Sequence, residues 1–174
     1  PVSALLEIEI LGRLAQLKGF QNRPNVFSYR WPTRSSEKRV FEYYWRGYVE
    51  KNKSVLAAAQ PFADPVVVIA DVSAFYPSLN HQLIGREIGR ALDISELQPD
   101  ERDILAVHLT QSVAAGTKGI PIGPPTSHVL ANLALRSLDE QMQSLHGSAY
   151  HRYVDDIAIV CEKGEAGKVI RDLT

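Results

Sequence analysis

Tyr153-Val154-Asp155-Asp156 sets two adjacent carboxylates between β-prone flanks, His151-Arg152 on one side and Ile157-Ala158-Ile159-Val160 on the other. At the tip of an apolar hairpin such carboxylates repel each other and lose hydration, so a compensating cation is the simplest reason to place them there. A divalent metal is the natural candidate, although Asp-Asp also turns a hairpin well without any ligand. A third carboxylate stands in a matching setting upstream. Val66-Val67-Val68-Ile69-Ala70 is a continuous aliphatic run, typical of a strand buried on both faces, and it ends abruptly in Asp71. If the two strands are neighbours in one sheet, Asp71 and Asp155 converge across 84 residues of sequence.

The elements that must position these acids follow from periodicity. Leu6, Ile10, Leu14 and Leu17 recur at helical spacing between Ser3 and Lys18, and Gly19 stands where a C-cap belongs. Residues 20–35 show no clear period and predict a loop. A second helix is expected from Ser36, with Phe41, Tyr44, Trp45 and Tyr48 as an aromatic stripe best explained by core packing and secondarily by base stacking. It runs through Val55 to Ala59 and stops at Pro61. After the strand ending at Asp71, Pro77 near a helix start and Ser78 as N-cap predict a helix carrying Leu79, Leu83, Ile84, Ile88 and Leu92. Another is expected from Pro99 through Leu109, in which His108 has no second ligand at metal-binding spacing. A stiff Gly/Pro loop, Gly119-Ile120-Pro121-Ile122-Gly123-Pro124-Pro125, then feeds one long helix with Leu130, Leu133, Leu138, Met142 and Leu145 on one side. Helices, strand, helices and hairpin in that order predict an α+β chain.

Composition sets the frame. The 174 residues, 45% hydrophobic, suffice for a packed core, and no aliphatic run approaches the ~18 residues of a membrane span. No targeting signal opens the chain, and Cys161 is the only cysteine, which excludes an internal disulfide and a cysteine-rich zinc site. A reducing, cytoplasmic setting is expected, with Cys161 as a small packed residue. Lysines and arginines number 19 against 20 acids, a net charge of −1. The distribution is less even: between Phe20 and Gln60 eight basic residues face three acids, a segment suited either to phosphates or to a solvated helix face. The chain lacks an initiator methionine and stops at Thr174 as a new helical pattern begins, which reads as a partial chain.

Three stretches taken together resemble the palm motifs of reverse transcriptases. Asp71-Val72-Ser73-Ala74-Phe75-Tyr76-Pro77-Ser78 resembles the first, metal-binding motif. Gly119-Ile120-Pro121-Ile122-Gly123, followed by Ser127 and Leu130-Ala131-Asn132, resembles the second, and Tyr153-Val154-Asp155-Asp156 the third. Single short matches are weak, but three in order carry weight. The resemblance covers roughly Pro65 to Val160 and implies a polymerase palm, an antiparallel sheet with packed helices, over residues 65–174. Residues 1–64 would form a partial helical fingers segment, with no thumb in the visible chain.

The chemistry implied is attack of a primer 3′-hydroxyl on the α-phosphate of a deoxynucleoside triphosphate. Charge builds on the attacking and leaving oxygens, which two Mg²⁺ ions, or Mn²⁺ in their place, can stabilise. By resemblance Asp71 and Asp155 are the principal ligands, Asp156 a ligand or a supporting acid, and the Val72 carbonyl a further ligand. Tyr76 would obstruct a ribose 2′-hydroxyl. Phe75, Pro121 and Gly123 would lie around the nucleotide, and Tyr153, Gly119 and Ser127 against template or primer. Arg30, Arg34, Lys38 and Arg39 are candidates for the triphosphate. The partners implied are an RNA template, a DNA primer or product and deoxynucleotides, without a membrane; a homo-oligomer is compatible.

One departure bears on subtype. Ile122 stands where many reverse transcriptases, including intron and retron types, carry Gln. The Ile-Pro-Ile-Gly-Pro-Pro form, with Phe-Tyr-Pro-Ser, looks most like abortive-infection and defence-associated bacterial enzymes, some of which work untemplated or from a protein primer. The alternatives are an intron- or retron-type enzyme and, from another class, a catalytically silent nucleic-acid-binding scaffold. Retention of all three carboxylates argues against silence, because clustered acids are costly without a metal.

Overall fold

The computed structural model describes residues 4–33, 39–111, 113 and 118–174. In chain order its elements are α1 (Ala4–Leu14), α2 (Tyr44–Ala59), β1 (Pro65–Ala70), α3 (Phe75–Ser78), α4 (His81–Ile94), α5 (Pro99–Gln111), α6 (Pro125–Ala134), α7 (Arg136–His146), β2 (Tyr150–Tyr153), β3 (Asp156–Glu162) and α8 (Ala166–Asp172). This is an α+β chain with packed helices and a three-stranded antiparallel sheet in the order β1-β3-β2. Among the described residues no helix is long and apolar enough to cross a membrane. The chain forms two compact units that interleave along the sequence: Pro1–Asn22, Trp31–Phe41 and Ala74–Arg136 make the first, and Arg23–Arg30, Glu42–Ser73 and Ser137–Thr174 the second.

The first unit is helical. α4 packs against α5 and α6, and α1 against α6, around Leu11, Leu14, Ile84, Ile88, Leu92, Leu109 and Leu130. The helix expected after Pro77 is two helices: a single turn, α3, holds Phe-Tyr-Pro-Ser itself, and α4 starts afresh at His81. Asn80 rather than Ser78 caps α4, its side chain accepting from the amides of Gln82 (2.8 Å) and Leu83 (3.2 Å). Asn is among the best N-cap residues because its oxygen satisfies amides that have no partner in the first turn. The expected long helix beyond the Gly/Pro loop is likewise broken at Leu135, giving α6 and α7. Leu145, expected on the inward side, is exposed.

The second unit holds the sheet. Met142, Tyr150, Ile157, Ile159, Cys161 and Val169 form its core, with Val66 and Val68 packed on it. Burial pushes the Cys161 thiol up, as suits a packed residue rather than a reactive one. The strand β1 is not buried on both faces as its aliphatic run predicts. It is an edge strand: Val66, Val68 and Ala70 face the core, while Val67 and Ile69 are exposed, Ile69 at 74%. On that second face α2 packs against β2 and β3, so the central strand is covered on both sides and the edge strand is not.

The aromatic stripe also departs from expectation. Helix α2 begins at Tyr44, and Tyr44 (77%), Trp45 (52%) and Tyr48 (50%) are exposed rather than packed in the core. Gly47, Lys51 and Ser54 lie on the inward side instead, with Ser54 Oγ 2.9 Å from His151 Nε2. The reason is proximity. A Cβ at Gly47 would stand 2.0 Å from the Phe27 carbonyl oxygen, so the helix approaches its neighbours too closely at that position for any side chain. The Ser36 start expected for this helix lies outside the described residues.

Candidate active site

The sheet brings the acids together. Antiparallel pairing of β1 with β3 sets Ala70 opposite Ile157, so Asp71 and Asp156 emerge at the same end of adjacent strands. Pairing of β2 with β3 closes on Tyr153 and Asp156, leaving Val154 and Asp155 as a two-residue turn. Val154 has φ 57°, a left-handed conformation that a β-branched residue adopts only at a cost. Two contacts hold it there. Its N–H donates to Ser28 Oγ at 2.9 Å, and its carbonyl accepts from Arg152 Nη1 at 2.5 Å.

The charge environment of Asp155 follows. Partial burial raises its carboxyl above the ordinary range, opposed by its own backbone amide, and the nearby Asp71 and Asp156 carboxylates raise it further. Arg152 works in the opposite direction. Asp155 thus carries a negative charge that its surroundings resist, with two like charges for neighbours.

Behind the turn lies a buried ionic cluster that the periodicity analysis did not single out. Arg152 and Asp139 form a two-pronged pair, Nε to Oδ1 at 2.6 Å and Nη2 to Oδ2 at 2.8 Å. The Tyr150 hydroxyl donates to the same carboxylate at 2.6 Å, and Arg23 Nη1 lies 2.5 Å from its Oδ2. Burial and Asp139 push the Tyr150 phenol strongly upward, so it remains a donor. The Arg152 amide donates to Asn25 O and its carbonyl accepts from the Phe27 amide, both at 2.9 Å, which covers the outer edge of β2 and brings Ser28 to the turn. A signal for this cluster existed. Asp139 sits three residues before inward-facing Met142 on α7, and Arg152 shares strand parity with buried Tyr150.

The remaining predicted residues divide between the units. Asp71, Val72, Asp155, Asp156, Tyr153 and Arg30 belong to the second, and Phe75, Tyr76, Gly119, Pro121, Gly123, Ser127 and Arg39 to the first. Tyr153 donates to the Tyr44 carbonyl at 3.0 Å and meets the Tyr48 ring edge-on. Arg30 pairs with Glu50 at 3.0 Å and lies over the Phe27 ring. Arg39 is exposed; Arg34 and Lys38 lie outside the described residues.

Phe75 and Tyr76 share the helical turn α3 and both are buried. The Tyr76 hydroxyl lies 2.7 Å from His128 Nδ1, and burial lowers the His128 imidazole. In the same unit the first and second motifs adjoin: the Ile120 amide donates to Tyr76 O at 3.1 Å and the Gly119 amide to Leu79 O at 2.7 Å. Gly119 has φ +87° and a Cβ there would meet Pro77 O at 3.1 Å, so its glycine is required by the corner itself. Pro121, Ile122 and Gly123 are exposed beyond it, whereas the Ser127 side chain is 1% exposed and lies inside the unit.

A metal fits the donor set in one mode only. Among the described residues no three His, Cys, Asp or Glu side chains already stand as a ligating group, so there is no preformed all-protein cage. Hard divalent ions such as Mg²⁺ commonly take one or two carboxylates and complete their octahedron with water and phosphate oxygens. Asp71, Asp155 and Asp156, mutually repelling at one sheet end, suit that mode.

An antiparallel sheet with packed helices, carrying acids at one end, is consistent with a polymerase-like fold. Sequence comparison agrees in kind: over 132 residues the chain is 30% identical to the retron Ec73 reverse transcriptase of Escherichia coli, a match covering 70% of this chain and 42% of that protein. The chain therefore spans less than half the length of the curated relative it matches. The likeness supports reverse transcriptase at the level of the family. No family model matches.

Proposed function

We propose that this chain carries the polymerase palm and part of the fingers of a reverse transcriptase, which extends a primer with deoxynucleotides by metal-dependent phosphoryl transfer. The observation that carries the reading is Asp155, held on a strained and pinned turn at the sheet end that Asp71 and Asp156 share. Divalent ions bound there would supply charge stabilisation for the attacking 3′-oxygen and the departing pyrophosphate. Asp71 and Asp155 would hold them, with Asp156 and the Val72 carbonyl in support. Asp71 and Asp156 stand at the same end of paired strands and Asp155 on the pinned turn, an arrangement that would need little reorganisation when substrate arrives. Asp155 would serve in its ionised form, which a bound cation favours.

Tyr76, five residues after Asp71, would exclude a ribose 2′-hydroxyl, and His128 fixes its phenol. Exposed Trp45 and Tyr44 on α2 offer stacking faces for single-stranded nucleic acid. On subtype two observations pull apart: the match is to a retron enzyme, while the exposed Ile122 (73%) in Ile-Pro-Ile-Gly-Pro-Pro favours the defence-associated group.

The test is nucleotide incorporation with Mg²⁺ by the protein containing this chain, on an RNA template and with no template, beside an Asp155→Ala, Asp156→Ala control. Templated incorporation lost in the control supports the proposal, and dependence on one structured partner RNA identifies the retron type. Untemplated incorporation points to the defence-associated type. Folded protein that incorporates nothing in either condition returns the choice to a silent scaffold.

A further inference from the structure

We propose that Arg152, anchored by Asp139 and acting with Ser28, is a positioning residue that clamps the Val154 peptide and thereby aims Asp155; this rests on the metal-dependent reading above. The clamp grips both polar groups of one residue. Ser28 accepts the Val154 N–H and Arg152 Nη1 donates to the Val154 carbonyl. Valine has no intrinsic preference for φ 57°, so without external partners this turn relaxes toward extended backbone and carries the following carboxylate with it.

Arg152 suits the task because its fork is already committed. Nε and Nη2 are fixed on Asp139, leaving Nη1 aimed at the turn with little rotamer freedom. Asp139 is held in turn by Tyr150 and Arg23, so the guanidinium cannot swing without breaking a buried pair. Ser28 is placed by the main-chain bonds of the Asn25–Phe27 stretch to the Arg152 backbone in β2. The side chain and the main chain of Arg152 thus both serve the same peptide, one directly and one by seating Ser28. A purely cohesive role for this cluster would need the Arg152–Asp139 pair but no contact with Val154.

The experiment compares three substitutions in the whole chain: Arg152→Lys, which keeps the charge beside Asp139 but not the fork; Ser28→Ala, which removes only the partner of the Val154 amide; and Tyr150→Phe, which removes a bond to Asp139 without touching the turn. Two readouts are taken on protein shown to be folded by its melting transition, namely Mn²⁺ binding and hydrogen exchange at the Asp155 amide. Arg152→Lys and Ser28→Ala should each weaken Mn²⁺ binding about tenfold, the scale seen when groups behind a metal ligand are removed. Both should speed Asp155 exchange, and Tyr150→Phe, which leaves Arg23 on Asp139 and both partners of Val154 in place, should lower the melting temperature while moving both readouts far less. The proposal is overturned if Arg152→Lys and Ser28→Ala leave Asp155 exchange unchanged, or if Tyr150→Phe moves both readouts as far as they do. Should Arg152→Lys fail to fold, Ser28→Ala decides. If the unaltered protein binds no Mn²⁺, the metal reading fails by itself and Asp155 exchange still decides the clamp.

Discussion

Replacing Gly47 by alanine should destabilise the protein, although the same change in most helices stabilises it. Gly costs about 1 kcal/mol relative to Ala in a helix interior, so propensity alone predicts a gain of that size. At Gly47 the new methyl would stand 2.0 Å from the Phe27 carbonyl oxygen and 3.4 Å from Tyr153 Cε2. Backbone cannot yield as a flexible side chain does, so α2 must back away by about 1.4 Å before ordinary contact is restored. Overpacking of this kind typically costs about 1–3 kcal/mol, and a backbone clash belongs at the top of that range. Subtracting the propensity gain leaves a net loss of about 2 kcal/mol, a fall in melting temperature of roughly 4–8 °C for a chain of this size.

The companion change supplies the control. Gly85 and Gly89 lie within α4, and a Cβ at either meets nothing within 4 Å. Gly85→Ala with Gly89→Ala should raise the melting temperature, since only the propensity term acts. Thermal melts of the three proteins under one condition decide the matter. A Gly47→Ala variant that melts at or above the parent temperature would refute the packing argument. Because α2 also seats Tyr153, that variant should lose incorporation activity even where it remains folded.

The Asp155→Asn variant should abolish incorporation while stabilising the metal-free fold at pH 7 by on the order of 0.5 kcal/mol, a small figure because solvent screens a carboxylate that is only partly buried. The sign follows from linkage: the raised carboxyl means that the folded state holds the proton more tightly than the unfolded chain. Stability therefore falls as pH rises from the ordinary carboxylate range through the raised value, and the penalty persists above it. Melts from pH 3.5 to 7 should show less of that fall in Asp155→Asn, and a variant less stable than its parent at pH 7 would contradict the repulsion. Trp45→Ala should weaken single-strand binding by about 1–3 kcal/mol with almost no change in melting, and unchanged affinity measured by fluorescence anisotropy would remove α2 from the interface. Tyr76→Val should narrow the preference for deoxynucleotides over ribonucleotides, whereas Tyr76→Phe should keep that preference and lose about 1 kcal/mol of stability with its contact to His128. Incorporation ratios for the paired triphosphates test both.

The α+β class, the helices α1, α4 and α5 and the β2-β3 hairpin were legible in the sequence, because each rests on a local period or a turn. Convergence of Asp71 with the hairpin acids was legible only as a condition, that two strands far apart in sequence be neighbours; the β1-β3 pairing meets it. Where an inference needed to know what covers a face, it failed. The run Val66 to Ala70 looks buried on both sides, yet α2 stops short of the edge strand. The stripe Tyr44, Trp45, Tyr48 has the spacing of a core face, yet close approach at Gly47 reserves the inward side for small and polar residues.

The sequence by itself thus determined which residues can do chemistry and which local elements carry them, since residue type, hydrophobic period and turn chemistry act over a few neighbouring positions. Only the tertiary structure decided which strand borders which, which way α2 faces, and that Arg152, Asp139 and Ser28 meet behind the acidic turn. Those outcomes depend on contacts between residues as far apart as Ser28 and Val154, separated by 126 positions. No local pattern encodes such a meeting; it exists only once the sheet has formed and the buried charges must find one another.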